Sequence, residues 1–249
     1  LTINPGGSLT TVAANIASGA TLATGGSFTA TGPVTVGGIL KGSATGPIVA
    51  SGQPVNVISG GTLDLNGGSI TASAINNQGL LKGVGTINSN VFNDGTFSPG
   101  ASPGLVNIVG NYVQGPTGLL NIEIGGTTPG TGFDKLDITG NATLNGVLTI
   151  VPFGNFVATP ADSYRFLTTG GTISGTFSTI VVPTAFAGFS LNYQSQFTDA
   201  LASPFTRSTP GAATNQLIAA TKQNILVVEE DKKILTEEEK KKLGPTCAP

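Results

Sequence analysis

GLLKGVGTINSNVFNDGTFSPGASPG, residues 79–104, is the stretch of sequence that decides the fold class of this chain. Short runs of aliphatic and β-branched residues alternate in it with glycine, asparagine and two Ser-Pro steps. Such runs favour strands, and the residues between them favour tight corners. The stretch has no histidine, cysteine, tryptophan or methionine, so it predicts backbone structure and offers almost no acid–base chemistry.

The stretch belongs to a repeat that extends along most of the chain. Each repeat carries a short tetrapeptide, mostly with glycine, that ends in a large apolar residue, as in GGTL and QGLL. These apolar residues are 16 to 24 positions apart, with an average of about 20. We call them the anchor residues: Leu22, Leu40, Leu63, Leu81, Phe97, Leu120 and Leu144.

A repeat of this length cannot bury its own apolar face, so successive repeats have to stack and share one core. The spacing therefore predicts an all-β chain that folds as a parallel β-helix, or solenoid. In that fold the anchor residues align in one inward column. The alternative is a β-sandwich with ordinary turn spacing.

The residue after each anchor is expected to face outward, because side chains alternate along a strand. Lys41, Asp64 and Lys82 would then lie on successive strands about 4.8 Å apart. Opposite charges on neighbouring strands attract each other, so we predict that these three residues form a surface charge ladder. The complete outward column is predicted to be Ala23, Lys41, Asp64, Lys82, Ser98, Asn121 and Asn145.

Asparagines recur near the predicted corners of the repeat. Asparagine tolerates the left-handed backbone conformation, and equivalent asparagines of stacked repeats can form hydrogen-bonded ladders. Both roles are predicted for Asn76, Asn77, Asn88, Asn90 and Asn93.

The predicted organisation has three parts. Residues 1–105 form β-helix coils, and residues 106–203 form a C-terminal region whose longer strands close the stack. Residues 204–249 form a charged, partly helical tail, which holds 13 of the 24 charged residues of the chain. Within the tail, Thr236 and Glu239 match a capping box and predict a short helix.

Two features of the tail are candidate interaction sites. The segment from Asn224 to Val228 is predicted to cap the last coil or to add as a strand to a neighbouring molecule, which would give head-to-tail assembly. Cys247 is the only cysteine, so it either has no role or forms an intermolecular disulfide. The segment consists of Asn224, Ile225, Leu226, Val227 and Val228.

The composition excludes several classes of function. The chain has no histidine, which rules out Ser-His-Asp triads and HExxH zinc sites. The net charge of −2 gives no basic surface for nucleic acid, and no apolar run is long enough to span a membrane. The nearest carboxyl pair, Asp134 and Asp137, is interpreted as turn and edge residues. We therefore predict no catalytic site, no cofactor and no metal.

The segment of roughly residues 60–180 resembles large secreted bacterial β-helix proteins. The most specific motifs are FSPGASPG at 97–104, YVQ followed by LNIEI, and FDKLDITG at 133–140. They are similar to autotransporter passengers and to filamentous-haemagglutinin-like exoproteins of two-partner secretion. The charged tail is closer to the second group. The resemblance implies a right-handed parallel β-helix that is secreted or held at the cell surface, and an outer-membrane secretion partner.

The function predicted from these observations is structural or adhesive and extracellular. The chain would be a self-assembling fibre subunit or the C-terminal part of a large adhesin, as in a biofilm. The absence of methionine, even at position 1, predicts a processed product or a piece of a longer protein. Its partners would be further copies of itself, or a glycan or protein of a host or cell surface. The alternative is a polysaccharide-binding or polysaccharide-degrading β-helix protein, although Tyr112, Tyr164 and Tyr193 are far apart in the sequence.

Overall fold

The computed structural model describes residues 1–159, 162–183, 189–202 and 225–228 of the 249-residue chain. Within these residues the chain forms 26 strands and no helix. In chain order the strands are β1 (Thr2–Ile3), β2 (Ser8–Thr11), β3 (Ala14–Ile16), β4 (Thr21–Thr24), β5 (Ser27–Ala30), β6 (Val34–Val36), β7 (Ile39–Lys41), β8 (Ile48–Ala50), β9 (Val55–Val57), β10 (Thr62–Asp64), β11 (Ser69–Asn77), β12 (Leu80–Gly83), β13 (Gly85–Asn93), β14 (Thr96–Pro99), β15 (Leu105–Ile108), β16 (Tyr112–Gln114), β17 (Leu119–Ile124), β18 (Lys135–Ile138), β19 (Ala142–Leu144), β20 (Val147–Pro152), β21 (Ser163–Thr169), β22 (Ile173–Gly175), β23 (Thr179–Pro183), β24 (Phe189–Tyr193), β25 (Phe197–Ala202) and β26 (Ile225–Val228).

The strands pair in three columns, and from β1 to β23 consecutive strands along the chain belong to different columns. The first column is β1-β4-β7-β10-β12-β14-β17-β20-β23-β26, and every pair in it is parallel. The second column runs parallel from β2 to β21, and the third from β3 to β22. β11 and β13 belong to both, because each continues through the corner between them. This all-β arrangement with long parallel sheets is compatible with a β-helix or solenoid.

Six of the seven predicted anchor residues stack in register in the first column. Leu22 pairs with Leu40, and the register continues without a break through Leu63, Leu81 and Phe97 to Leu120. All six side chains are buried. These residues therefore form the inward column that the repeat predicts.

The seventh anchor residue is predicted wrongly. Leu120 pairs with Leu148, whereas Leu144 lies one strand earlier, in β19 of the third column. Thr149, and not Asn145, consequently follows Asn121 in the outward column. The cause is the loop between β17 and β18, which makes this repeat longer than the others. Counting about 20 residues from Leu120 therefore ends in β19, one strand before the strand that pairs with β17.

The glycine of the repeated tetrapeptide is explained by close approach between stacked corners. A Cβ atom added to Gly61 would lie 1.9 Å from the carbonyl oxygen of Val36. One added to Gly79 would lie 2.4 Å from the carbonyl oxygen of Gly61. Since only glycine leaves room for the backbone of the preceding corner, the motif that repeats in the sequence marks a contact between repeats.

Inward side chains from all three columns form one hydrophobic core, which extends from Ile3 to Ala202. The alternation is clear in β17, where Leu120, Ile122 and Ile124 are buried and the residues between them are partly exposed. Each fully buried aliphatic side chain of this kind contributes about 1.5–3 kcal/mol. The core is therefore the main source of stability along the stack.

In the third column, part of the inward row is polar. Asn77 Nδ2 donates to Asn93 Oδ1 at 2.7 Å and to the carbonyl of Thr96 at 2.9 Å. Gln114, the next residue in this row, donates through Nε2 to the carbonyl of Val147 at 2.8 Å. All three side chains of the row are buried, so this ladder of amides ties the third column to the first.

The predicted asparagine ladders are present at two pairs of stacked residues, and none of the five asparagines takes the predicted left-handed conformation. Asn76 bonds to Asn56, Asn77 bonds to Asn93, and Asn90 Oδ1 accepts the backbone N–H of Asn111. Among the described residues, a positive φ outside glycine occurs only at Asn66 and Ser102. Glycine takes most of the left-handed positions, and the asparagines instead satisfy polar groups of neighbouring repeats.

The C-terminal end of the stack has a different pairing. β25 is antiparallel to β21 on one side and to β24 on the other. Arg165 donates to Asp199 through Nε at 3.0 Å and Nη2 at 3.3 Å, and its guanidinium lies over the ring of Phe197. At the proposed boundary between residues 105 and 106 the stack is continuous, because β15 pairs with both β13 and β18.

Candidate functional site

The predicted charge ladder lies on the outer side of three neighbouring strands, β7, β10 and β12. We call its residues, Lys41, Asp64 and Lys82, the charged row. Asp64 is in register with Lys41 on one side and with Lys82 on the other. The Nζ atom of Lys82 is 3.7 Å from Asp64 Oδ2, and Asp64 Oδ1 accepts the N–H of Asn66. The row thus contains one ion pair, with the exposed side chain of Lys41 on the adjacent strand.

The apolar segment of the tail forms a strand within its own chain. β26 pairs in parallel with β23, in a register that runs from Ile180 opposite Ile225 to Pro183 opposite Val228. It is therefore the outermost strand of the first column at the C-terminal end. Asn224, Cys247 and the predicted helix lie outside the described residues.

The carboxyl of Asp134 is a buried link between two segments. Its Oδ1 accepts the N–H of Gly104 at 2.7 Å, and its Oδ2 accepts the N–H of Glu123 at 2.8 Å. Burial raises the pKa of Asp134 to about 7, and the two N–H groups act in the opposite direction. Asp134 thus joins the FSPGASPG loop to β17, a buried role that the sequence analysis missed.

Asp137, the other member of the carboxyl pair, lies on the outer side of β18. Its Oδ1 is 2.8 Å from Lys135 Nζ and also accepts the hydroxyl of Thr168. The two carboxyls therefore occupy separate structural contacts, one buried and one half-exposed.

An open groove of about 520 Å³ lies where the third column meets the following corner. We call it the outer groove. Its lining residues come from four successive repeats, of which the first contributes Thr35, and they are mostly polar. Those that matter for its chemistry are Asn56, Ile58, Asn76, Gln78, Phe92 and Asp94.

The outer groove consists of two rows that follow the stack. In the strand row, Asn76 is in register with Asn56 on one side and with Phe92 on the other. Asn76 Nδ2 donates to Asn56 Oδ1 at 2.8 Å, which fixes the two amides relative to each other. In the corner row, Ile58, Gln78 and Asp94 each come two positions after a strand-row residue.

The outer groove combines hydrogen-bonding groups with exposed apolar surface. Phe92 and Ile58 are each 42% exposed, although both are large apolar residues. Three amide side chains and one carboxylate lie beside them, and no lysine or arginine lines the groove. Asp94 Oδ1 is 3.5 Å from the hydroxyl of Thr117. The arrangement can donate and accept hydrogen bonds and can also cover an apolar surface of a ligand.

Sequence reasoning missed the outer groove because it aligned the repeats on one column only. The signal lies in the triplets VNV at 55–57, INN at 75–77 and VFN at 91–93, each of which precedes a corner. Their middle residues are the strand row of the groove. The exposed aromatic ring here belongs to Phe92, and not to one of the tyrosines considered as aromatic candidates in the sequence.

Comparisons with known proteins add no family. A scan against protein-family models gives no match, and a search of curated proteins gives none either. In the described part of the chain, no group of three or more histidine, cysteine or acidic residues could hold a metal ion. The same residues include no helix that is long and apolar enough to cross a membrane.

Proposed function

We propose that the chain is a right-handed parallel β-helix that acts outside the cell as a structural or adhesive protein. The observation that carries the proposal is the parallel pairing of three columns around one core. Crossover connections between parallel strands are almost always right-handed, which supports the handedness. The similarity of FSPGASPG and FDKLDITG to secreted bacterial exoproteins supports the location.

The dimensions of the stack suit a mechanical role. Nine strands, β1 to β23, follow each other in the first column before β26. At about 4.8 Å per strand they extend over roughly 40 Å. Backbone hydrogen bonds run along the whole of this length, so the stack is a stiff unit that resists local opening.

The two ends of the stack differ in a way that suits assembly. β1, β2 and β3 each pair on one side only, so their other edges carry backbone groups without a strand partner in the described part of the chain. Such an edge accepts a further parallel strand. This end of the stack would pair with a second copy in a fibre, or with a preceding coil if the chain is part of a larger adhesin.

The candidate carboxyls favour this proposal over cleavage of a polysaccharide. Glycoside hydrolysis needs two carboxyls that flank the bond to be cleaved. Both oxygens of Asp134 accept backbone N–H groups, and Asp137 is paired with Lys135. These contacts give both carboxyls of the candidate pair a structural role, which supports the proposal.

Protease treatment of intact producing cells, followed by electron microscopy of the released protein, tests the proposal. We expect the protein to be accessible on the cell surface or in the medium. We also expect rods that are as long as, or longer than, roughly 40 Å. Protein that is found only inside intact cells, or particles that are round, would contradict the proposal.

A further inference from the structure

We propose that the outer groove binds a neutral glycan. The inference rests on the adhesive part of the function proposed above and names the ligand for it. It starts from the strand row, where Asn56, Asn76 and Phe92 occupy equivalent positions of three stacked strands. A site built across three strands is rigid, and the side chains in it are held at the spacing of the stack.

The amides of the groove match the hydroxyl groups of a sugar. An amide both donates and accepts hydrogen bonds, as a hydroxyl group does. Within the described residues, the bond between Asn76 and Asn56 leaves the Asn76 carbonyl oxygen and the Nδ2 hydrogens of Asn56 for a ligand. Gln78, which is exposed beside them, adds a third amide. Neighbouring hydroxyls of one sugar ring can therefore be recognised together.

The exposed ring of Phe92 matches the other surface of a sugar. A pyranose presents C–H groups on its faces, and these pack on aromatic rings. A concave site that combines apolar side chains with a few convergent polar groups is the usual form of a small-ligand site. Phe92 and Ile58 lie on either side of Asn76 and Gln78, so a sugar that bonds to the amides would also cover apolar surface.

The charge of the groove selects a neutral ligand. Asp94 is exposed in the groove, and its carboxylate accepts hydrogen bonds from hydroxyl groups. Because no lysine or arginine lines the groove, a sulfated or uronic-acid polymer would meet repulsion without compensation. A neutral hexose or N-acetylhexosamine chain is therefore the ligand class that fits.

A glycan array with the full-length chain tests the inference. The probes are short neutral hexose and N-acetylhexosamine oligosaccharides, with heparin as the anionic comparison. We expect binding to at least one neutral probe and none to heparin. Calorimetry with the bound probe should then show a loss of affinity of about tenfold or more for Phe92→Ala, since stacked aromatic area is removed.

Matched variants separate the groove from the rest of the surface. Gln78→Ala should also weaken binding, and its exposed side chain can be removed without loss of a described hydrogen bond. Phe153→Ala and Asn88→Ala remove an exposed phenylalanine and an outer asparagine elsewhere, and both should bind like the unchanged chain. Absence of binding to every neutral probe, binding to heparin alone, or binding that Phe92→Ala and Gln78→Ala leave unchanged would overturn the inference. None of these results would contradict the proposed function itself, because that function is tested separately by surface exposure and rod formation.

Discussion

Asn76 and Asn77 are consecutive residues of β11 that project to opposite sides of the same strand. Asn77 is buried, and its amide donates to Asn93 and to the backbone of Thr96. Asn76 is half-exposed, donates to Asn56 and lines the outer groove. The comparison teaches that the same residue type holds the fold on one side and is available to a ligand on the other. Inside the stack a lost hydrogen bond leaves a buried polar group unsatisfied, whereas outside water replaces it.

The inner ladder should therefore be the most sensitive to substitution. In Asn93→Ala, Asn77 Nδ2 loses one acceptor and the carbonyl of Leu119 loses a donor, both next to the core. We expect the free energy of unfolding to fall by roughly 2–4 kcal/mol. Chemical denaturation followed by circular dichroism measures this change.

The outer asparagine is the matched control for that experiment. Asn76→Ala removes the same atoms from the outer side of a neighbouring strand, where solvent can satisfy Asn56. The expected loss is about 0.5 kcal/mol or less. If the two variants lost similar amounts of stability, the distinction between the inner and outer rows would be wrong.

Asp134 is a buried carboxyl on the inner side of the same comparison, and its pKa determines how the free energy of unfolding should change with pH. Burial raises its pKa in the folded chain to about 7, from an ordinary value of 3.8. Between these two values the folded chain keeps a proton that the unfolded chain has released. The contribution of Asp134 to the free energy of unfolding is therefore complete below about pH 4 and is lost as the pH rises towards 7. The slope from this one proton is at most about 1.4 kcal/mol per pH unit.

Denaturation curves recorded at several pH values between 4 and 7 measure this slope. Asp134→Asn cannot titrate, so it should flatten the dependence. The same variant should also be less stable at pH 7, because its amide nitrogen faces one of the two N–H donors of Gly104 and Glu123. A slope that persists unchanged in Asp134→Asn would assign the effect to another group.

The sequence was sufficient to predict the first column because one physical constraint repeats there. Gly61 and Gly79 have no room for a side chain, and the anchor residue two positions later is buried, so both leave a pattern in the sequence. The prediction failed at Leu144, where the loop between β17 and β18 changes the length of the repeat. Loop insertions cost little free energy, so a stacked chain tolerates them and average spacing then misplaces the next strand.

The outer groove could not be predicted in the same way. Solvent-exposed positions accept most residue types, so Asn56, Asn76 and Phe92 share no chemical type that a repeat search would detect. Their common feature is position, one residue before a buried one at the end of each strand. The burial of Asp134 was also unpredictable, because it depends on the FSPGASPG loop, which is 30 residues away from it.

The charged row gives the smallest expected effect and tests the outer side of the comparison directly. Lys82 is 45% exposed, and its Nζ lies 3.7 Å from Asp64. An exposed ion pair of this kind contributes about 0.2–1 kcal/mol and weakens as salt screens it. We expect Lys82→Ala to lose no more than that in denaturation experiments at low salt, and less at high salt.

A double-mutant cycle between Lys82→Ala and Asp64→Asn isolates the interaction of this pair from changes in β propensity. Lys41, in register with Asp64 on the opposite side, can approach the carboxylate when Lys82 is absent. The coupling should therefore increase when the cycle is repeated in a Lys41→Ala background, because Asp64 then has no second lysine beside it. A coupling energy above about 2 kcal/mol would be as large as that of a buried contact. The inner and outer polar rows would then not differ in strength, contrary to the comparison above. A coupling that Lys41→Ala leaves unchanged would show that the row is one pair, and that Lys41 takes no part in a charge ladder.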